Sequence, residues 1–377
     1  MADVDRQEII MALNKAHILF ACSSLDVPSG YEKAVTETAN LFSGNGHRVT
    51  LLILDQSSRL YFPLSKAIDI IHQEMHFGIT KKGNPLIRKY WLWRDRSRLK
   101  KLVLSCKPDI FIGTEYQFTA AAILGGLQKF MRVYTWEHHH FHWIRRNAFW
   151  MALSKMAYRK ASGLICLNQQ EAAIYRSFGR TTVIPNFTHQ KQGTRAPEKL
   201  LLTVAGLIHR KGIDLLLKVA KSILQKYPTW RWKIIGDGLM EEIVRSFITL
   251  NGLEGRLILK PPAGPNLDEE YRQTSLYVMT SRFEAFPLVL LEAMAWGIPC
   301  ISFDCPSGPS EIIQHNHTGL LVAPENTGAM EIAIQQLIDH PERCQEFSRN
   351  SLQEVSQYFP EQVYQKWEKL FNEEVVS

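Results

Sequence analysis

The sequence is short of several features that would decide its class early. No run of about 18 apolar residues occurs, so no membrane-spanning helix is expected. The stretch 1–11 carries Asp3, Asp5 and Glu8 and no long apolar core, which argues against a signal peptide. There is no C-x-x-C pair. Cys22, Cys106, Cys166, Cys300, Cys305 and Cys344 are scattered, and only Cys300 and Cys305 lie near each other. Such cysteines read as reduced thiols of a cytoplasmic protein. No H-E-x-x-H spacing, short tandem repeat or low-complexity segment is present. Charged residues are only 21% and hydrophobic residues 45%, a composition that fills cores and excludes wholesale disorder.

Acidic charge is scarce in one half only. Residues 1–187 hold 25 Lys/Arg and 14 Asp/Glu, and residues 188–377 hold 19 and 23, so a net charge of +7 conceals halves of +11 and −4. Unlike halves in a chain of 377 residues predict two domains with different partners.

Short apolar runs alternate with amphipathic stretches. His17–Cys22 reads as a buried strand, followed by a polar loop over 23–30, a helix over 31–42 and a second strand over 49–54. That order requires a parallel sheet, because a crossover helix joins parallel strands. Strands over 109–113, 133–136 and 163–167 and helices over 116–127 and 148–160 continue the rhythm. A polar stretch over 188–198, with Gly193 and Pro197, has the composition of a linker. The alternation then restarts: strand 200–205, helix 212–224, strand 232–235, helix 240–250, strand 276–279, helix 288–295 and strand 299–302. A helical tail from 341 to 374 is broken by Pro360. Two open α/β domains, 1–187 and 199–359, are therefore expected. Ligands of such sheets sit beyond the carboxyl ends of the strands and between domains.

Residues 280–301, TSRFEAFPLVLLEAMAWGIPCI, carry the strongest motif. Glu284 falls in a loop after a strand and Glu292 eight residues later on a helix. A carboxylate near a helix start can accept from two vicinal ribose hydroxyls, and one in the preceding loop can touch another part of the same ligand. The loop amides around Ala285, Phe286 and Leu288, with Pro287 where the helix could start, favour an anionic oxygen there. Residues 204–214, VAGLIHRKGID, place Arg210 and Lys211 at a helix start, which suits a diphosphate. A solvated basic turn is the competing reading of those two cations. Residues 235–238, IGDG, give a strand-end G-x-G that includes Gly236.

Residues 280–301 resemble the signature of family 4 retaining glycosyltransferases, S-x-x-E-G-F-G/P-L-x-x-L-E-A-M-A-x-G-x-P. Lys211 and Gly212 match the K-G of its G-R-L-x-x-x-K-G segment. Residues 303–312, FDCPSGPSEI, resemble a subgroup acting in bacterial surface polysaccharide synthesis, commonly with UDP-activated galactose or N-acetylgalactosamine. Two positions depart from the pattern: Ala285 stands where the family usually has Gly, and Gly206 where it has Arg. The resemblance implies a GT-B fold, two Rossmann-like domains facing across a cleft, with a final helix over 360–377 packing back on the first domain.

It further implies transfer of a hexose or N-acetylhexosamine from a nucleotide sugar, UDP-activated by analogy, to a glycan or lipid-linked glycan with retention. Glu292 would hold the ribose, Lys211 with Arg210 the leaving diphosphate and Glu284 the donor sugar. Gly30 in the loop over 26–30 and Gly236 would approach the donor. His138, in the E-H pair of TWEHHHF, would touch the sugar's 6-hydroxyl region or the acceptor. No cofactor or required metal is implied, and consecutive histidines (His138, His139, His140, with His142) point in different directions, which disfavours a metal site.

The segment from Lys81 to Lys101 holds nine Lys/Arg, one acid (Asp95) and Tyr90, Trp91 and Trp93. Cations attract anionic lipid and Trp and Tyr favour the interface, so a peripheral site on the inner face of the cytoplasmic membrane is expected. Arg145, Arg146, Trp150, Lys155, Arg159 and Lys160 would extend that surface. A helix burying the aromatics and solvating the cations is the bland alternative. Nucleic acid is disfavoured, since no binding motif accompanies the charge. A catalytically impaired transferase fold serving as a membrane-associated binding protein is the remaining alternative, opened by Ala285 and Gly206.

Overall fold

The computed structural model describes residues 15–55, 59–76, 85–141, 147–262, 264 and 266–372, with 85–88 described by backbone alone. The chain divides into two compact units between Ile184 and Pro185. His142, Arg145, Arg146 and Lys81, named above, lie outside the described residues.

The first unit is a parallel sheet of β1 (His17–Cys22), β2 (Arg48–Ile53), β3 (Asp69–His72), β4 (Ile110–Gly113), β5 (Arg132–Trp136), β6 (Gly163–Cys166) and β7 (Thr181–Val183), in the order β3-β2-β1-β4-β5-β6-β7. Its helices are α1 (Gly30–Gly44), α2 (Pro85–Cys106), α3 (Tyr116–Gly125), α4 (Ala148–Lys160) and α5 (Gln169–Tyr175). β1 is buried along its whole length because both faces are covered. Leu19 and Ala21 join the core shared with α2, α3, α4 and α5. Phe20, on the opposite face, packs against Phe42 of α1 with ring centroids 6.0 Å apart. α1 opens with Ser29 as its N-cap: the Ser29 hydroxyl accepts from the Tyr31 amide at 3.3 Å and donates to the Glu32 carboxylate.

The second unit repeats the plan with β8 (Leu200–Val204), β9 (Arg231–Ile235), β10 (Leu257–Lys260), β11 (Leu276–Met279), β12 (Cys300–Phe303) and β13 (Gly319–Val322), ordered β10-β9-β8-β11-β12-β13 and parallel throughout. The helices are α6 (Ile213–Lys226), α7 (Glu241–Leu250), α8 (Asp268–Gln273), α9 (Leu288–Ala295), α10 (Pro309–Ile312), α11 (Thr327–Asp339), α12 (Pro341–Glu354) and α13 (Pro360–Asn372). α6 is a clear case of sequence setting a face. Ile213, Leu216, Val219, Ala220 and Ile223 recur at helical spacing and enter the core with Trp232, Ile234 and Ile301.

In each sheet the chain order reverses beside the first strand, at β1/β4 and at β8/β11. Loops there diverge from the carboxyl ends of neighbouring strands and leave a crevice between them.

The polar stretch over 188–198 is tied to the second unit along its length. Arg195 donates to the carbonyls of Gly297 at 2.5 Å and Thr274 at 2.6 Å, Lys191 pairs with Asp268 at 2.7 Å, and the Glu198 amide bonds the Gln273 carbonyl at 2.8 Å. The helical tail breaks as its sequence predicts, through a 3-10 turn over Val355–Tyr358 before Pro360. The division places α13 in the second unit.

Candidate active site

Most of the predicted site residues lie on loops leaving β8, β9 and β11. After β8 the chain forms a 3-10 turn, His209–Lys211, and enters α6 through Gly212. Gly212 has φ +66°, and a Cβ there would lie 1.9 Å from the Thr280 carbonyl oxygen. Only glycine meets both conditions. Thr280 donates its hydroxyl to the carbonyls of Lys211 (3.2 Å) and Gly212 (3.1 Å), and the Arg282 amide bonds the Arg210 carbonyl at 2.8 Å. The loops after β8 and β11 are thus stitched together at backbone level.

That stitching brings Lys211 Nζ to 2.5 Å from Glu284 Oε1. Ser281 donates to the same oxygen at 2.7 Å, and Ser307, in the turn after β12, donates to the Glu284 carbonyl at 2.9 Å. Burial pushes the Glu284 carboxyl up. The Lys211 charge, the bonds from Lys211 and Ser281 and the Arg210 charge outweigh it and hold Glu284 below the usual carboxylate value. Arg210 is therefore close enough to be felt at the carboxylate. A Cβ on Gly206 would find its nearest neighbour, the Asp237 carbonyl oxygen, 3.9 Å away.

Glu292 lies on α9, buried, with its Oε2 accepting from the Tyr271 hydroxyl at 2.7 Å. Ala285, Phe286 and Pro287 lead into that helix, Pro287 is its N-cap, and Leu288 is its first residue. Of the first-turn amides, that of Leu290 bonds the carbonyl of the N-cap Pro287 at 3.1 Å. Ala285 is not among the residues with φ in the left-handed region, so alanine is accommodated there without strain. Gly236 directly follows β9 and lies close against the chain just past β8; a Cβ there would lie 1.9 Å from the Ala205 carbonyl oxygen.

Gly30 and His138 belong to the first unit, at the carboxyl ends of its strands. Gly30 is the first residue of α1, and the next residue, Tyr31, meets His138 edge-on at 5.0 Å. Tyr31 also shares a 2.6 Å hydrogen bond with Thr114, just past β4. Trp136 covers another side of His138, with centroids 4.1 Å apart. His138 is 7% exposed, and its Nε2 has no hydrogen-bond partner among the described residues. Burial and the neighbouring His139 hold its pKa well below the ordinary histidine value, so the ring is neutral at pH 7.

The other histidines diverge: His139 faces Glu115 at 3.8 Å and His140 faces Glu171 at 3.5 Å. Among the described residues no group of three His, Cys, Asp or Glu converges as a metal site would require.

Sequence reading missed Ser281, Ser307, Tyr271 and Arg282. Ser307 and Gly308 form a tight turn at φ +56° and +95°, and the Ser307 hydroxyl also supports the Glu284 loop. Tyr271 sits in a segment with no motif, and only its burial marks it.

Two open parallel sheets of this order, with their candidate ligand groups at the switch points, define a GT-B fold. The S. aureus protein TarM, solved in complex with alpha-GlcNAc-glycerol and UDP, superposes with a TM-score of 0.78 at 16% identity, over 95% of this chain and 100% of that one. Residues 28–191 match Glycosyltransferase Family 4, and residues 186–354 match Glycosyl transferases group 1. The chain belongs to this glycosyltransferase family. It is 24% identical to a glycosyltransferase of Haemophilus influenzae over 354 residues, 92% of this chain and 98% of that protein. It is 32% identical to the lipopolysaccharide 1,6-galactosyltransferase of Escherichia coli K12 over 117 residues, 30% of this chain and 33% of that protein.

Proposed function

We propose that the protein transfers a hexose or N-acetylhexosamine from a UDP-sugar to a glycan or lipid-linked glycan, with retention at the anomeric carbon, in surface polysaccharide or glycoconjugate synthesis. The observation that carries this reading is the pairing of the half-buried Lys211 with the buried Glu284 and Ser281, with Arg210 nearby. It is a preset cationic site beside a carboxylate, at the switch point of a nucleotide-binding type of sheet. The UDP and alpha-GlcNAc-glycerol held by TarM support a UDP donor and an α-linked product.

Lys211, with Arg210 in place of the cation that Gly206 cannot supply, neutralises the diphosphate as the bond to the anomeric carbon breaks. Charge grows on the leaving oxygen at that moment, so fixed cations stabilise the transition state more than the bound donor. The acceptor oxygen bonds the anomeric carbon on the face the diphosphate leaves, and the acceptor's proton passes to the leaving phosphate oxygen. No enzyme nucleophile is needed. Glu284 orients the donor sugar, Glu292 holds the ribose hydroxyls, and the amides of Ala285, Phe286 and Leu288, held by the turn at Pro287, meet a donor oxygen. Gly30 and Gly236 give the backbone close approach to the donor. His138, neutral, offers Nε2 to the sugar's 6-hydroxyl region or to the acceptor. No cofactor or metal enters these steps. An anionic membrane surface completes the partners, placing the enzyme on the inner face of the cytoplasmic membrane.

The test is a donor screen with purified protein, scoring hydrolysis and transfer for each nucleotide sugar, together with titration calorimetry of UDP and GDP. Turnover of a UDP-sugar with an α-linked product by NMR is expected. Absence of binding to every nucleotide overturns the proposal, binding without turnover reduces it to an impaired transferase, and an inverted product removes the front-face route.

A further inference from the structure

The first unit carries five exposed large apolar side chains on one layer of helices: Tyr90 and Trp93 on α2, Leu124 on α3, Phe130 just past α3 and Phe149 at the start of α4. α2 packs beside α3, and α3 beside α4. Trp93 is 63%, Phe130 60% and Tyr90 56% exposed, far beyond what core packing leaves open. Their distribution is not that of scattered surface apolar residues, because three of the rings are each covered by a cation from α2. Lys89 Nζ stands 4.1 Å from the Phe149 ring centre, the Arg96 guanidinium 5.2 Å from Trp93, and Lys100 Nζ 5.3 Å from Phe130. Positions 89, 96 and 100 are seven and four apart, so they lie along one stripe of the helix.

The same layer is almost empty of negative charge. α2, α3 and α4 together contain ten Lys/Arg and a single acid, Asp95. Asp95 is fully buried, bonded by the His76 amide at 2.7 Å and flanked by Arg94 at 3.4 Å and Arg98 at 3.8 Å. The face shown to solvent is therefore aromatic and cationic, without a carboxylate to repel an anion. Aromatic rings at the height of their paired cations match a bilayer interface, where rings settle among the glycerol groups while ammonium and guanidinium groups stay with the headgroups. A nucleic-acid groove would instead use the cations along a phosphate track and rings for stacking on splayed bases.

We propose that this three-helix face, centred on Trp93 and Phe130 and ringed by Lys89, Arg96 and Lys100, docks the protein on an anionic lipid bilayer. It specifies the membrane partner in the proposed function but is scored without donor or acceptor, so its failure leaves the transfer reading standing.

The experiment is co-sedimentation of the full chain with vesicles of phosphatidylcholine alone and of phosphatidylcholine with phosphatidylglycerol, at low and high salt. Binding to the anionic vesicles that weakens with salt is expected. The double variant Trp93→Ser/Phe130→Ser is expected to lose at least tenfold in partitioning, and Lys89→Glu/Lys100→Glu a similar amount, with circular dichroism and melting unchanged. These are surface positions, and hydrolysis of a water-soluble donor should be unaltered in both. No pelleting of the parent protein at low salt overturns the proposal. So does equal binding to neutral vesicles, unchanged partitioning of both folded variants, or binding to single-stranded DNA in place of vesicles.

Discussion

Arg282 grips Asp214 with both arms of its guanidinium, Nη1 to Oδ1 at 2.7 Å and Nη2 to Oδ2 at 2.8 Å. The same Nη1 reaches the His209 carbonyl at 2.8 Å, and Nε reaches Glu325 at 2.9 Å. One side chain from the loop after β11 therefore holds the start of α6 and the turn that carries Arg210 and Lys211. Arg282→Lys keeps the charge but not the two-pronged geometry. Asp214 is partly open to water, and solvent screening limits the stability loss to about 1–2 kcal/mol, below the cost of a sealed pair. The expected signature is a lower melting temperature together with a lower kcat, because Lys211 loses its fixed place. An unchanged kcat in the destabilised variant would show that Arg282 supports only the fold.

Lys211→Ala should lower kcat at least about tenfold, equivalent to ~1.4 kcal/mol of transition-state stabilisation. The pair also has a pH signature. The Glu284 carboxyl is held below its ordinary value of 4.5, so it binds protons less readily in the folded than in the unfolded state. Its stabilising contribution is present above about 4.5 and is lost as pH falls through the lower folded value. Lys211→Met removes the largest opposing influence and leaves burial, which pushes the Glu284 carboxyl up. Melting curves from neutral pH down to acid should then show a smaller acid loss in the variant than in the parent. Parallel acid profiles would mean that the two groups are not coupled.

The sequence made the repeated α/β plan and the E-x7-E loop readable because both rest on local signals. Apolar runs bounded by turn residues mark fully covered strands such as β1, and the 3.6 spacing marks α6. β3 escaped because it lies at a sheet edge with three of its four residues exposed, so no apolar run announces it. Lys211 and Glu284 were legible from their motifs, but their contact was not, since 73 residues separate them and Thr280 and Arg282 bring their loops together. The basic and aromatic composition of the segment was legible, yet the neighbouring rings of Phe130 and Phe149 were not, because only the packing of three helices puts them beside α2.

His138 gives a second pH prediction. Its folded pKa lies well below the ordinary 6.5, so the unfolded chain binds the proton first as pH falls. The stabilisation is complete above about 6.5 and is withdrawn progressively below it. His17 and His47 are lowered in the same direction and contribute to the same acid loss. His138→Gln removes only its own share. Between pH 7 and 5 the melting temperature of this variant should fall less steeply than that of the parent. A difference confined to pH above 7 would contradict the sign.

Variants at Tyr271 and Glu292 test donor binding separately from chemistry. The Tyr271 ring is buried, and its hydroxyl donates to Glu292 at 2.7 Å. Burial and the Glu292 charge raise the Tyr271 pKa well above its ordinary value, so the hydroxyl stays a donor throughout the working range. Tyr271→Phe keeps the ring and deletes that bond to a buried carboxylate, at a cost of about 1–3 kcal/mol. If Glu292 holds the ribose, the released carboxylate turns and the ground-state and transition-state donor lose the contact equally. KM for the UDP-sugar should then rise severalfold with kcat nearly unchanged, and Kd for UDP measured by calorimetry should rise in parallel. Glu292→Gln should show the same pattern more strongly. A fall in kcat at constant KM would instead place Glu292 at the reacting sugar and exchange its role with that of Glu284.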